Sequence, residues 1–572
     1  MKSSWVGVVA ITALQFACSE TDAEVVSPPS NTALESSSIV LAPLIGPHYR
    51  PAVGQSDVGF YGTDMGFTYR HRGQLRILFG DTWAATDGTM IGAGGDDAHG
   101  VICLSPVDCP GGRDSQGFPD GDSVEAYVKA HPPRPGEFSW QYGAPPVFLR
   151  LNATGHAAPI AVYRGGAAGT LLPMGPSRTP AAAFSNAKTG DDAAAFAIFN
   201  RLVSVPCSGG ASPTCEGDLV CDTGLGSYFG ASGDDAIPCL HGSPLCAPNA
   251  GGGFCIDDTN SFYQPADDGL ARLNSVASRL EVGAEDPANQ DSYYARGWQT
   301  RRFFNLTVRA VNDFLPTRES GAGNDYNLPD ASTTGRERLF LWGRPGFVGT
   351  KAAGRSAKLY FAYVDMPDYA ADGRVEWAPQ YYVGTSNGVP QFSPNQRMAK
   401  ALDLTGAPTA DTEAWDVVNH MSIAFVKSVN KWVMFYGGDL NDGLIEVFSG
   451  GQGQLVERDP EGAIHVRWTV ADDPWGPWTA PEQLFKAGDF ATTPPVADSS
   501  FAPGGILHHP DCNAADCAPF EALWGDQTYG VLYGPNIIPE WTEERGAYVD
   551  LYWNVSTWNP YQVVLLKSRF KK

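Results

Sequence analysis

The sequence predicts an all-β fold, a five-bladed β-propeller with disulfide-rich loop insertions. Composition comes first: 65 Gly and 44 Pro stand beside 28 Phe, 22 Tyr and 15 Trp, the mixture expected of many short strands joined by turns. Long helical periodicities are scarce. Strand-like segments also recur in five groups of antiparallel pairs, and groups that cannot bury both faces alone are stable when packed radially around a channel. At 572 residues, length alone would allow several domains, but repeat-built β architectures often exceed that prior as one unit.

The chain begins with Lys2 and an apolar run from Trp5 to Phe16, too short to span a bilayer permanently, then the small Ala17 before Cys18. This reads as an export signal. Leu14-Gln15-Phe16-Ala17-Cys18 resembles a bacterial lipobox, with Gln15 where an aliphatic residue is usual, so Cys18 is the expected lipidation site; cleavage after Ala23 is the alternative. Residues 19–40 are rich in Ser, Thr, Pro and Glu and lack aromatics, which suits a polar tether. The propeller then occupies 41–572 as a single domain, with insertions at about 84–136 and 205–260.

The first unit is the hairpin Gly62 to Trp83, two aromatic and β-branched segments either side of Arg72-Gly73, where Gly73 can take a positive φ. The second holds Pro146 to Leu149, Ala182 to Phe184 and Ala195 to Phe199. The third spans Ser275 to Gly343. The fourth contains Leu359 to Tyr363, Gln380 to Gly384, and Ser422 to Val426 paired with Lys431 to Tyr436 around a turn at Val429-Asn430. The fifth takes Ile464 to Thr469, Trp475-Gly476-Pro477-Trp478, Gly530 to Gly534, and Val549 to Ser556 with Gln562 to Ser568. Most aromatics in these strands are expected to pack between blades.

The eleven cysteines show no C-x-x-C spacing, so disulfides are expected in place of a zinc or redox site. Lipidation of Cys18 leaves ten, enough for five bridges outside the cytoplasm. Six lie between Cys207 and Cys255 in a segment too poor in apolar residues to bury a core, and they allow 15 connectivities. Cys103 and Cys109 are close enough in sequence for a local bridge.

A formal charge of -24 would repel nucleic acid and anionic membrane surfaces and disfavours strongly acidic substrates; neutral ligands such as sugars fit better. Several motifs dissolve on inspection. Gly384-Thr385-Ser386-Asn387-Gly388 matches a nucleophile elbow, but that device needs a strand followed by a helix, and here a second strand follows. His508-His509 with Asp511 lacks helical metal-ligand spacing, and Asp96-Asp97, Asp120-Gly121-Asp122 and Asp472-Asp473 lack the calcium-hand pattern. No phosphate loop is present, and no cofactor or metal is expected.

The opening hairpin carries the chemistry. With an even loop centred between Arg72 and Gly73, Asp64 falls opposite Asp81. Directly opposed side chains have Cβ atoms about 4.5 to 5.5 Å apart, and like charges placed so destabilise a sheet. Opposed carboxyls cannot both ionise cheaply, so one is kept protonated while the other stays anionic, the pair that glycosidic cleavage requires. A short separation favours a retaining double displacement. The competing reading makes both acids turn-capping residues, and a bulge would break their opposition.

The segments GTDMGFTYRHRGQLRILFGDTW, MSIAFVKSVNKWVMFYGG, WGPWTAPEQLF, YGPNIIPEWT and LYWNVSTWNPYQVVLLKSRF together resemble domain-of-unknown-function family 4185, which includes glycoside hydrolase family 183, the endo-D-arabinanases of bacterial cell-envelope arabinan. The resemblance covers most of 50–570 apart from the cysteine-rich excursions. It implies a propeller and catalytic aspartates at the GTD and FGD motifs, here Asp64 and Asp81. The expected function is an exported, lipid-anchored glycoside hydrolase cleaving arabinofuranosidic bonds, at the outer membrane or cell surface or secreted. Its partners would be a polysaccharide and, through Cys18, the outer leaflet of a membrane, with no nucleic acid. Trp83, Arg302, Ser422, Tyr533 and Asn559 are the expected substrate contacts. The rival readings are a surface glycan-binding or adhesion propeller without turnover, and an exo-glycosidase on another sugar.

Overall fold

A computed structural model describes residues 38–45, 60–71, 74–84, 96–103, 148–151, 178–185, 195–204, 206–208, 214–215, 220–228, 238–240, 246–247, 252–256, 263–274, 279–281, 303–312, 337–344, 359–365, 378–402, 420–437, 444–449, 452–457, 465–486, 531–558 and 562–572. Almost all of this is antiparallel β-structure, with a single short 3-10 turn at Gln396–Met398 among the described residues. The export segment with Cys18, most of the tether, Arg302, Asn559, Cys109 and the His508-His509 motif lie outside the described residues.

In chain order, β1 (Ile39–Ile45) is followed by β2 (Phe60–His71), β3 (Gln74–Ala84), β4 (Asp96–Cys103) and β5 (Phe148–Leu151), which pair successively as a first four-stranded sheet. The second sheet starts with β6 (Arg178–Ser185) and β7 (Ala195–Ser204). An excursion then carries the short strands β8 (Val220–Asp222), β9 (Leu225–Tyr228), β10 (Pro238–Leu240), β11 (Cys246–Ala247) and β12 (Phe254–Ile256). The chain returns as β13 (Tyr263–Asn274) and β14 (Arg279–Glu281), giving the order β14-β13-β7-β6. The third sheet has five strands, β15 (Phe304–Asn312), β16 (Glu337–Arg344), β17 (Tyr360–Asp365), β18 (Gln380–Ser386) and β19 (Val389–Ser393). In the fourth, β20 (Met421–Val426) and β21 (Lys431–Gly437) lead, after the separate hairpin β22 (Leu444–Ser449) and β23 (Gln452–Glu457), to β24 (His465–Ala471) and β25 (Glu482–Lys486). The fifth combines β26 (Val531–Arg545), β27 (Tyr548–Trp558) and β28 (Gln562–Lys571) with β1 on its outer edge.

Five sheets of four or five strands therefore follow one another, and the N-terminal strand completes the last. Their first strands touch in sequence: β2 meets β6, β6 meets β15, β15 meets β20, β20 meets β26, and β26 meets β2.

The strands are largely those the sequence predicts, but their grouping differs. Residues 148–151 pair with β4 in the first sheet and not with the second unit. The strands at 360–365 and 380–386 extend the third sheet, and 465–471 pairs with β21 in the fourth. The segment expected as an insertion from residue 84 to about 136 contains β4, which continues the first sheet. Apolar alternation marks a strand but not its neighbour, because the partner is chosen by sheet packing across intervening loops. Two turns behave as read, while Arg72-Gly73 lies outside the described residues. Asn387-Gly388, both at positive φ, close the β18–β19 hairpin, and Asn430 at positive φ closes β20–β21.

Three buried clusters hold the sheets together. One joins β21 and β24 to the fifth sheet through Phe435, Trp468, Trp553 and Phe570. Another joins the second and third sheets through Phe184, Phe196, Phe303 and Tyr381. The third joins the third and fourth through Phe340, Trp342, Phe361 and Trp432, with Trp475 and Trp478 of the WGPW segment packed into it. Trp342 and Trp432 lie 5.2 Å apart between centroids, tilted in the manner aromatic quadrupoles favour.

In the excursion, Cys207 bonds Cys221 and Cys215 bonds Cys255. These bridges explain the sulfur cluster of Cys207, Cys215 and Cys221, which would otherwise resemble a metal site. Among the described residues no helix is long and apolar enough to cross a membrane.

Candidate active site

The register of the opening hairpin is regular from His71 opposite Gln74 to Phe67 opposite Leu78, and again at Thr63 opposite Thr82 and Gly62 opposite Trp83. Between these stretches it breaks. Met65 pairs with Phe79, which leaves Asp64 alone facing two residues, Gly80 and Asp81, and leaves Gly66 with no counterpart. Two compensating irregularities thus sit at the GTD motif, and the direct pairing of Asp64 with Asp81 expected from an uninterrupted register is replaced by this two-against-one arrangement. Asp81 instead takes Asp97 of β4 as its backbone partner. The inference of a retaining mechanism from direct opposition loses its geometric basis here.

The kink shows in the backbone angles. Met65 adopts φ 61°, a left-handed conformation unusual for a residue without glycine's freedom, and Gly66 follows at φ 125°. Side chains from β27 hold it there. The Met65 N–H donates to Ser556 Oγ at 2.6 Å, and Asn554 Nδ2 donates to the Gly66 carbonyl at 2.9 Å. Strain of this kind costs about 1–3 kcal/mol and persists where the surroundings over-determine it, typically at functional sites.

The strain aims Asp64. Its side chain is buried, 8 % exposed, and lies across Gly80, so closely that a Cβ there would overlap Oδ1. The Tyr533 hydroxyl, from β26, donates to Asp64 Oδ2 at 2.9 Å. Behind Tyr533 lies the ring of His420, 5.9 Å away between centroids. Burial, reinforced by the nearby Arg344 cation, pulls the His420 pKa down to about 3, so this imidazole is neutral at physiological pH. Arg344 itself is fully buried.

The other expected contacts fall as follows. Ser422 on β20 is buried, and its hydroxyl accepts from the Ile537 N–H at 3.0 Å and from Arg309 Nη2 at 3.1 Å. Arg309 Nη2 also reaches the Ile537 carbonyl at 3.2 Å. Ser422 therefore stitches three first strands together. Trp83 ends the hairpin opposite Gly62 in backbone register. Residues of β2, β6, β15 and β26 line a small cavity with room for about one water-sized guest.

Gly80, His420, Arg344, Asn554 and Ser556 are site residues that the sequence reading missed. The sole sequence signal was Gly80, immediately before Asp81, since a glycine facing a functional side chain often marks a close approach.

No family model and no curated protein matches this chain. Among solved structures, a candidate hydrolase from Bacteroides ovatus is 9% identical with a TM-score of 0.38, covering 94% of this chain and 97% of its own. A Dyadobacter fermentans protein of unknown function is 10% identical with a TM-score of 0.27, over 94% and 98% of the two chains. Trypanosoma rangeli sialidase in complex with the inhibitor DANA is 7% identical with a TM-score of 0.25, over 88% and 55%.

Proposed function

We propose that this chain is an exported glycoside hydrolase built on a five-bladed propeller, cleaving arabinofuranosidic bonds in a polysaccharide in the manner of an endo-D-arabinanase, with Asp64 and Asp81 as its carboxyl pair. The propeller reading is supported by five successive sheets, by first strands that touch around a closed cycle, and by β1 completing the sheet of β26 to β28. The observation that carries the chemistry is the seat of Asp64. A strained, left-handed residue beside it, a glycine beneath it and a tyrosine hydroxyl on Oδ2 together fix one carboxyl next to the FGD segment.

In the reaction, one carboxyl gives its proton to the glycosidic oxygen as the bond to the anomeric carbon breaks. The other either attacks that carbon, forming a glycosyl ester that water later hydrolyses, or takes a proton from the attacking water. The net charge of -24 suits a neutral glycan. Export and a lipid on Cys18 are supported by the apolar N-terminal run and by disulfides, which persist in oxidising compartments.

The test is release of oligosaccharides from D-arabinan by the purified protein, with L-arabinan and other glycans as controls, repeated with Asp64→Asn and Asp81→Asn. Turnover lost in both variants, with retained binding, is the expected result. Glycan binding without release by the wild type would make the chain an adhesion propeller. Release of monosaccharides alone would make it an exo-glycosidase. Palmitate labelling that disappears in Cys18→Ala is expected for the anchored form.

A further inference from the structure

We propose that the two bridges of the excursion, Cys207–Cys221 and Cys215–Cys255, form a single thiol-exchange centre that a small thiol of the glutathione class switches between two pairings. The sulfurs are closely grouped. Cys215 Sγ lies 3.8 Å from Cys207 Sγ, although the two belong to different bridges, and the sulfurs of Cys207, Cys215 and Cys221 all fall within 4.8 Å of one another. The backbone groups these residues differently from the bonds. Ser208 and Thr214 form an antiparallel bridge, so Cys207 and Cys215 are the next opposed pair outward. That turn is held by the Ser208 N–H donating to the Thr214 carbonyl at 2.8 Å and by a 2.6 Å hydrogen bond between the two hydroxyls. Cys221 of β8 and Cys255 of β12 are themselves direct register partners.

Each cysteine therefore stands opposite one to which it is not bonded. Directly opposed residues of an antiparallel pair have Cα atoms about 4.5 to 5.5 Å apart, inside the range of about 4.4 to 6.8 Å that a disulfide spans. Exchange to Cys207–Cys215 and Cys221–Cys255 thus requires side-chain rotation and no new strand pairing. Cys215 and Cys221 are half-buried, Cys207 and Cys255 buried. A thiolate attacking Cys221 forms a mixed disulfide there and expels the Cys207 thiolate beside Cys215. Cys207 then bonds Cys215 and expels the Cys255 thiolate, which attacks Cys221 across the β8–β12 ladder and releases the small thiol. Two disulfides enter and two leave, and the thiol is regenerated, so no oxidant or reductant is consumed. The first pairing staples the 207–215 turn to both β8 and β12. The second closes each pair of strands on itself, and the turn then meets β12 through the Cys207 N–H on the Gly253 carbonyl at 3.0 Å and the Pro206–Phe254 bridge.

Cleavage after acidic residues places Cys207 and Cys215 on one peptide ending at Glu216, Cys221 on a second ending at Asp222, and Cys255 on a third ending at Asp257. The full-length protein should be incubated with and without substoichiometric reduced glutathione, blocked with N-ethylmaleimide, digested without reduction and examined by mass spectrometry. Without glutathione the three peptides are expected as one linked species. With it, the first should separate as a single internally bridged peptide while the second and third stay joined. Cys255→Ser leaves Cys215 as a thiol beside Cys207, and maleimide should then be found on both Cys215 and Cys221 with no thiol added. A linked species unchanged by glutathione, glutathione retained on Cys221 without a new pairing, or maleimide confined to Cys215 in Cys255→Ser would each overturn the assignment.

Discussion

Tyr533 and Asp64, 469 positions apart in sequence, are joined by a 2.9 Å hydrogen bond from the phenol to Oδ2. The bond connects β26 to β2, the last and first of the five leading strands. It acts on the one carboxyl of the pair whose side chain is described. Tyr533→Phe keeps the ring and its packing against His420 but removes the donor. Leaving a buried acceptor without its hydrogen bond costs about 1–3 kcal/mol. If that loss falls on the transition state of the proposed hydrolysis, kcat should drop about 10- to 100-fold with KM little changed. Steady-state kinetics beside a melting curve will separate this from simple loss of fold.

Gly80 is the floor of the same seat. A methyl at this position overlaps Asp64 Oδ1 and approaches Met65 Cγ at 3.1 Å, so Gly80→Ala must displace the carboxyl or the strained kink. Overpacking of this kind costs about 1–3 kcal/mol. The expected outcome is a modest fall in denaturation midpoint with a disproportionate loss of turnover, measured on the same preparation. Gly534→Ala, at φ 59° and facing Met65 Sδ, should destabilise in the same way through the other side of Met65.

What could be read from sequence follows from how local each feature is. The β2–β3 hairpin, the Asn387-Gly388 turn and the Asn430 turn are short-range devices, legible from glycine, asparagine and alternating apolar residues. Asp64 and Tyr533 were each named from their own segments. Their contact was not legible, because nothing local links residues 469 positions apart. The irregular register at Asp64 was equally hidden: it is held by Ser556 and Asn554 on a different sheet. Assigning β5 to the second unit failed for the same reason, since a strand pattern does not identify its partner.

His420 makes acid stability part of the site's behaviour. Its folded pKa, about 3, lies below the value of about 6.5 that it takes when unfolded. The unfolded chain therefore binds a proton that the folded chain refuses. The contribution is fully present above about pH 6.5 and is lost progressively as pH falls towards 3. Replacing the imidazole with an amide in His420→Gln should flatten the fall of melting temperature between pH 6.5 and 4 relative to wild type. Melting curves across that window measure the difference.

Asp550 supplies a second acid-sensitive contact, remote from the site. It is fully buried on β27, with Arg569 at 2.6 Å, Arg545 at 3.2 Å and Lys567 at 3.9 Å. Burial pushes its pKa upward, but the hydrogen bonds and charge of Arg569, then the charges of Lys567 and Arg545, outweigh it and hold the carboxyl below its usual range. Its contribution is present above the unfolded aspartate value and is lost as pH falls through the folded one. The basic partners are not stranded by its removal, since Arg569 and Arg545 reach solvent. Asp550→Asn should therefore cost about 1–3 kcal/mol, less than breaking a wholly buried pair. The penalty should be measurable by urea denaturation at pH 7 and should shrink as pH falls below the usual aspartate range, where the wild-type carboxylate itself becomes protonated. Because Asp550 ties β26 and β28 to β27 and touches no residue of the Asp64 seat, any activity left at pH 7 should keep the wild-type KM.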